Sequence, residues 1–172
     1  FQRVLNIRDT GFGSGPLAAI WSDACSRHAV WEAIDRRTTY ATTGARILLR
    51  VHVNDVEAGG ETTVQGAPEV AIRVNACALI QRVDLIRNDR CIRSWQPDKL
   101  DVELAFTDTY PVREGAYYVR LRQDDGEYAW STPVWVTCPG GGIEADPDQP
   151  AWNADEPFDL STARPNGAEA YE

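Results

Sequence analysis

The chain has 172 residues, of which 43% are hydrophobic and six are tryptophan, which is enough apolar material for a folded core. Its formal net charge is −9, and most of it lies in residues 139–172, which hold eight acids and one arginine. The rest is nearly neutral and offers no basic patch for a nucleic acid. No apolar run approaches the roughly 18 residues of a membrane-spanning helix. We therefore predict neither a nucleic-acid partner nor a membrane.

The chain begins at Phe1 and contains no methionine. We therefore interpret it as a fragment or a processed piece of a longer protein. No signal peptide is recognisable, and the composition does not indicate a cellular compartment.

The cysteines form no CxxC pair, which argues against a zinc ribbon or a thiol redox motif. We expect each to behave as a small buried hydrophobic residue, and we leave disulfide pairing unassigned. They are Cys25, Cys77, Cys91 and Cys138.

A glycine-rich segment, residues 11–16, precedes the short apolar run of residues 17–21. The segment lacks the Lys-Ser/Thr pair of a P-loop and the spacing of a dinucleotide fingerprint, so we interpret it as a surface loop. The apolar run is typical of a buried strand.

An amphipathic helix is predicted over residues 27–37, with Ser26 as its N-cap. Val30 and Ile34 lie four residues apart and therefore share one face of it. A strand followed by a helix is one βα unit, and one such unit cannot bury both faces of its strand. We therefore expect part of the apolar surface, including Trp31, to be exposed or covered by a partner.

From Ala45 onward the hydrophobic period is two, which is typical of strands. Turn signals at Asn88-Asp89 and Asp125-Gly126 and a polar loop at residues 55–68 separate the strands. About seven short strands without an interleaved helix predict an antiparallel, immunoglobulin-like β-sandwich. The strands are predicted at residues 45–53, 70–74, 83–87, 91–93, 100–106, 117–122 and 128–136. Alternation assigns Val102, Leu104, Val119 and Leu121 to the core.

The last predicted strand contains an irregularity. Trp130 and Trp135 are an odd number of residues apart, so a regular strand would place them on opposite faces. Pro133 lies between them and cannot donate to a ladder, so we predict a bulge or strand switch at residues 131–133. The two tryptophans could form a carbohydrate-stacking platform, although packing in a core or an interface is the favoured interpretation.

After the last strand, residues 139–172 combine low hydrophobicity with high acidic charge, which predicts an extended tail. Trp152, Phe158 and Leu160 are spaced like anchors that could hold this tail along the body.

Three segments point to a known family. They are residues 20–47, which contain RRTTYATTG at residues 36–44, then VDLIRND at residues 83–89 and the hairpin-like residues 117–136. In this order they resemble the C-terminal end of PHP-type (polymerase- and histidinol-phosphatase-like) metallohydrolases. The most similar branch is the carbaryl-hydrolase-like one, with its related family of unknown function.

The resemblance implies a parent hydrolase in which histidines and carboxylates hold two or three divalent metal ions, Mn, Zn or Fe, that activate water against a small-molecule substrate. The family's ligands come in His-x-His and Asp-x-His pairs. His28 and His52 belong to neither pair, so we assign no catalytic residue, metal ligand or cofactor to this chain. Arg37, Tyr40 and Thr42 follow the last barrel helix. They are therefore implied at the rim of the active site, with turn or interface roles as the alternative.

These expectations divide the chain into three parts. Residues 1–44 are the strand and helix left from an α/β catalytic barrel, residues 45–138 an accessory β-sandwich, and residues 139–172 the acidic tail. We predict that the chain is the non-catalytic C-terminal part of a metal-dependent hydrolase and closes and supports the upstream barrel, its partner in the same protein. The alternative is a free-standing binding module for a glycan or a protein.

Overall fold

Strands dominate the computed structural model, which describes residues 15–142. These residues form eleven β-strands and one α-helix, so the chain is mostly β, as predicted. The helix, α1, spans Arg27–Asp35. The strands are β1 (Leu17–Ile20), β2 (Thr39–Thr42), β3 (Leu48–Val53), β4 (Val56–Glu57), β5 (Glu61–Thr63), β6 (Glu69–Arg87), β7 (Arg90–Trp95), β8 (Lys99–Thr107), β9 (Glu114–Gln123), β10 (Tyr128–Ser131) and β11 (Val134–Thr137).

The longest strand, β6, belongs to both layers of the sandwich. Its first half pairs antiparallel with β3 and β8, and its second half pairs antiparallel with β7 and β9. The register shifts between Asn75 and Ile80, where the strand passes from one layer to the other. The prediction of separate strands at residues 70–74 and 83–87 is therefore wrong, because the intervening residues 75–82 remain extended.

The two layers face each other across one core. β3 packs against β9, β10 and β11, with which it shares no ladder. The predicted sandwich is thus confirmed, with two corrections. β5 pairs parallel with β11, so the sandwich is not wholly antiparallel. Residues 55–68 are not only a loop, since they contain the short strands β4 and β5.

Alternation correctly identified the inward positions of most strands. Val102, Val119 and Leu121 are buried, and Leu104 is partly buried against the core, so the four predicted core residues are confirmed. Leu100 continues the same alternation but is exposed, because it lies at the start of a strand that pairs on one side only.

The predicted irregularity near Pro133 is confirmed. Trp130 is opposite Arg120 of β9, whereas Val134 is opposite Tyr117 of β9. Residues 130–134 therefore contain one residue more than the segment of β9 that they pair with. This extra residue divides the predicted last strand into β10, which also pairs with β2, and β11, which also pairs with β5. The buried positions change phase across the division, and both tryptophans therefore lie on the outward face.

The first two strands join the second layer. β1 pairs with β2, and β2 pairs with β10. β1 and β2 run antiparallel, whereas neighbouring strands of an α/β barrel run parallel. The strand and helix are therefore present as predicted, while their origin in a barrel and the domain boundary at residue 44 stay predictions.

Helix α1 packs only partly, as predicted. Ser26 is its N-cap and accepts a hydrogen bond from the Ala29 N–H at 3.2 Å. The helix ends at Asp35, two residues earlier than predicted, because Arg37 adopts a left-handed backbone conformation with φ +61°. Ala33 is its buried residue, and Ile34, which shares a face with Val30, is exposed.

The cysteines differ in their surroundings. Cys91 and Cys138 are buried as predicted, whereas Cys25 and Cys77 are exposed, and all four are free thiols. Cys25 lies in the loop before α1, and Cys77 lies where β6 passes between layers, so neither thiol packs in the core.

Several predictions fall outside the described residues. They concern the start of the glycine-rich loop and almost all of the acidic tail, including its three apolar anchors. Among residues 15–142, no helix is long and apolar enough to cross a membrane.

Candidate functional site

The segment that carries the family resemblance forms a corner between α1 and β2. Arg36 caps the helix, and its N–H donates to the Glu32 carbonyl at 2.9 Å. The Thr38 hydroxyl contacts two carbonyl oxygens, that of Ala33 at 3.1 Å and that of Trp21 at 3.0 Å. The corner is therefore tied both to its own helix and to the loop that follows β1.

Tyr40 and Thr42 point into the core from β2. The Tyr40 hydroxyl donates to the Ile47 carbonyl at 2.8 Å, and its ring stacks on Trp21 with centroids 6.0 Å apart. Burial raises the pKa of the Tyr40 phenol above its ordinary value. Thr42 accepts a hydrogen bond from the Gly44 N–H at 3.3 Å. Both side chains are buried, so their contacts are structural in this chain, and their role at a rim stays a prediction.

Arg37, the third predicted rim residue, lies at the surface. Its guanidinium donates to Glu61 at 2.9 Å and lies 4.7 Å from the ring centre of Trp135. The backbone of Arg37 is left-handed, and its guanidinium lies over the outward face of β11. Only Arg37 of the three predicted residues therefore borders open space.

This open space is a cleft of about 440 Å³ between the α1–β2 corner and the β3–β4 hairpin. We call it the corner cleft. Its arginines are Arg36, Arg37 and Arg50, and Trp21 and Val56 provide an apolar wall. The remaining lining residues are Ser22, Asp23, Thr38, Glu57, Gly59 and Gly60.

Gly59 sets how closely the two sides of the corner cleft approach. It has φ +99°, and a Cβ at this position would lie 2.4 Å from the Arg37 carbonyl oxygen. Only a glycine combines this backbone conformation with such a close contact. Its N–H donates to the Pro133 carbonyl at 2.8 Å, which ties the hairpin to the bulge between β10 and β11.

The turn after β2 depends on a residue that the sequence did not single out. The Glu127 carboxylate accepts hydrogen bonds from the Thr43 hydroxyl and from the Ala45 N–H. The Tyr128 N–H in turn donates to the Thr43 hydroxyl at 2.9 Å. These partners are more than 80 residues apart in the chain, so only the fold brings them together.

Two buried charged clusters were also missed. Asp84 accepts from Arg82, Arg120 and Ser94. Burial alone would raise the pKa of Asp84, but these hydrogen bonds outweigh burial and hold the pKa below its ordinary value of 3.8. Such a charged residue in a strand resembles an ordinary surface position in sequence, so alternation could not identify its partners.

The second cluster lies at the C-terminal end of β6, three residues beyond Asp84. Arg87 and Tyr117 both donate to the buried Asp108 carboxylate, and Arg87 also donates to the Tyr110 carbonyl at 2.7 Å. Burial, followed by the hydrogen bond to Asp108, raises the pKa of the Tyr117 phenol. All three side chains are buried, so this cluster holds the fold and offers no surface to a ligand.

The two histidines lie on different elements. His28 is on α1, 3.3 Å from Glu32, and His52 is on the outward face of β3. Within residues 15–142, no group of three or more His, Cys, Asp or Glu residues could hold a metal ion. The described residues therefore do not fit the metal ions that the family resemblance implies.

The segment that holds the corner cleft is similar to a known sequence family. Residues 2–66 match the model of DUF3604, described as a protein of unknown function. This range includes every residue that lines the cleft. The description gives no activity, so the hydrolase expectation stays a prediction.

Longer relatives occur in Chlamydia. The chain is 30% identical over 138 residues to an uncharacterized protein of Chlamydia trachomatis serovar D and 29% identical to one of Chlamydia pneumoniae. Each match covers 70% of this chain and 22% of the relative, so the chain spans about a fifth of their length.

Among solved structures, a fibronectin(III)-like module of Clostridium thermocellum CbhA is 17% identical, with a TM-score of 0.36. It covers 50% of this chain and 93% of its own.

Proposed function

We propose that this chain is the non-catalytic C-terminal part of a metal-dependent hydrolase and that it packs against the upstream region of the same polypeptide. The observation that carries the proposal is the exposed apolar face of α1. Trp31 is 69% exposed and Ile34 47% exposed, although the helix is held to the sheet through Ala33. Neighbouring apolar side chains this exposed are typical of an interface.

The relatives support a partner in the same polypeptide. The chain spans about a fifth of their length, so most of each relative lies outside the matched part. α1 follows β1, close to the start of the described residues, where an upstream domain would connect. The proposal therefore assigns the covering surface to that domain.

The catalytic work belongs upstream under this proposal. A metal-activated water needs several fixed ligands and an open coordination position. The described residues offer no such ligand group, so the implied Mn, Zn or Fe ions and the small-molecule substrate would be held by the upstream domain.

The docking part is tested in the longer protein with the double variant Trp31→Ser, Ile34→Ser. In the longer protein, the double variant should lose the interface, so that the region of this chain and the upstream domain unfold at separate temperatures. In the isolated chain, the double variant should unfold at the same temperature as the parent. Leu48→Ser is the matched control, since Leu48 is similarly exposed but lies on β3. Unchanged unfolding of the longer double variant would exclude α1 as the interface.

The catalytic part is tested separately. The purified chain and the longer protein are assayed with Mn²⁺ or Zn²⁺ against a generic phosphoester. Turnover by the longer protein alone is expected. Turnover by the chain itself would refute the accessory role, and an upstream region lacking His-x-His and Asp-x-His pairs would remove the hydrolase assignment.

One observation favours the alternative of a binding module. The rings of Tyr128 and Trp130 stack on the outward face of the second layer, with centroids 5.5 Å apart and planes at 11°. Sugars stack on such aromatic surfaces. Trp135 is covered by Arg37, and the Arg122 guanidinium lies 5.8 Å from the ring centre of Tyr128, so the two tryptophans do not form one platform. A glycan array with the Trp130→Ala variant as control tests this alternative.

A further inference from the structure

Two arginines of the corner cleft are held on tryptophan rings. The Arg50 guanidinium lies 4.2 Å from the ring centre of Trp21, and that of Arg37 lies 4.7 Å from the ring centre of Trp135. Trp21 is itself fixed, because its indole N–H donates to the Leu49 carbonyl at 2.9 Å. Stacking orients a guanidinium while its in-plane N–H groups stay available, so less conformational entropy is lost when they bind a ligand.

Two of the three cleft arginines have only loosely held carboxylate partners, whereas Arg37 donates to Glu61 at 2.9 Å. Asp23 lies 3.7 Å from Arg36 and is 93% exposed, and the Glu57 Oε1 atom lies 3.6 Å from the Arg50 Nε atom. Both separations exceed hydrogen-bond distance. The Arg36–Asp23 pair is exposed, and exposed ion pairs contribute only about 0–1 kcal/mol, so a better-placed anion can displace Asp23.

We propose that the corner cleft binds an oxyanion, a phosphate or carboxylate group of a small molecule, between Arg36, Arg37 and Arg50. The planar fork of N–H donors on an arginine matches both groups. A volume of about 440 Å³ accommodates more than the anion itself, and Trp21 and Val56 offer apolar contact to the rest of the ligand. This inference is independent of the accessory role, because it concerns the corner cleft and not the exposed apolar face of α1.

The Trp21 indole N–H provides the readout. In ¹H–¹⁵N NMR spectra of the chain, its resonance is followed during titration with sodium phosphate, with sodium acetate, and with sodium chloride at equal ionic strength. Phosphate or acetate should produce a saturating shift that chloride does not. Saturation with phosphate alone assigns the site to phosphate groups, and saturation with both assigns it to oxyanions in general.

Variants then locate the site. Arg50→Gln should weaken binding about tenfold or more, because it removes a charge-assisted donor. Arg73→Gln is the matched control: Arg73 is directly opposite Arg50 in the β3–β6 ladder, pairs with Glu103 and lies outside the cleft. It should leave the affinity unchanged.

A third variant covers the case in which Arg50→Gln does not fold. The Arg36 side chain is more than half exposed, so Arg36→Gln keeps the fold and should also weaken binding. The absence of a saturating shift with either anion would overturn the proposal. The proposal would also be overturned if Arg36→Gln, and Arg50→Gln where it folds, bound the anion as tightly as the parent chain.

Discussion

The indole N–H of Trp21 donates a hydrogen bond of 2.9 Å to the main-chain carbonyl of Leu49. This bond joins the loop after β1 in one layer to β3 in the other. The same indole stacks on Tyr40 and lies beneath the guanidinium of Arg50. One side chain therefore links the closure of the sandwich to the shape of the corner cleft.

Trp21→Phe should lower the free energy of unfolding by about 1–2 kcal/mol. The variant keeps an aromatic ring but leaves the Leu49 carbonyl without its donor in a partly buried position. Urea denaturation measures the change. Trp31→Phe, on the exposed face of α1, should stay within about 0.5 kcal/mol of the parent. Equal effects of the two substitutions would contradict the structural role of the Trp21 bond.

Gly59→Ala should destabilise the chain by about 2–4 kcal/mol, because its new methyl group meets the Arg37 carbonyl and its φ is positive. Gly66→Ala is the control, since nothing lies within 4 Å of a Cβ at that position. Thermal unfolding of the two variants gives the comparison. A Gly59→Ala chain as stable as the Gly66→Ala chain would show that the corner cleft can widen freely.

Asp84→Asn should destabilise the chain by about 2–4 kcal/mol near neutral pH, because Arg82 and Arg120 lose their charged partner in a buried position. The pKa of Asp84 is lowered in the folded state. Its contribution is therefore fully present above about pH 5 and is lost as the pH falls through the lowered folded-state pKa.

The free energy of unfolding measured from pH 7 to pH 2 tests the Asp84 prediction. The difference between the parent and Asp84→Asn should shrink toward the acid end. Asp101→Asn is the control, because Asp101 is exposed on β8 and should change stability little. A difference that grows on acidification would contradict the sign of the pKa shift.

Gln123→Leu should destabilise the chain by about 2 kcal/mol. The buried Gln123 amide oxygen accepts from the N–H groups of Cys77 and Ala78, where β6 passes between layers, and leucine leaves both donors unpaired. Hydrogen exchange at these two amides should accelerate. Gln81→Leu, at an exposed position of the same strand, should leave their exchange unchanged. Slow exchange in the Gln123 variant would show that another group holds the bend.

Local patterns were reliable where one physical rule governs the outcome. Ser26 caps α1 because its hydroxyl accepts from the otherwise unpaired N–H of Ala29, and Pro133 lies at an irregularity because it has no N–H to donate to the ladder. The turn at Asp125-Gly126 formed for the same reason, since glycine takes the positive φ at little cost. Each of these features depends on a few neighbouring residues.

Features that depend on distant partners could not be predicted in this way. Residues 75–80 lie between two predicted strands, yet they remain extended, and Gln123, more than 40 residues away, binds the backbone of Cys77 and Ala78. Ile34 has the spacing of an inward residue, yet the layer beneath α1 reaches only Ala33.

The amino-acid sequence alone determined the class of the fold, the inward faces of most strands and the break at Pro133, because hydrophobic period and backbone restriction are local properties. Only the tertiary structure decided that Tyr40 and Thr42 are buried while Arg37 borders a cleft. It also decided that Arg36, Arg37 and Arg50 border the same cleft, since Arg50 lies on a different element and is brought to the corner by the packing of Trp21 on β3. The three arginines can be identified in the sequence, but only the packing of the two layers brings them to one cleft.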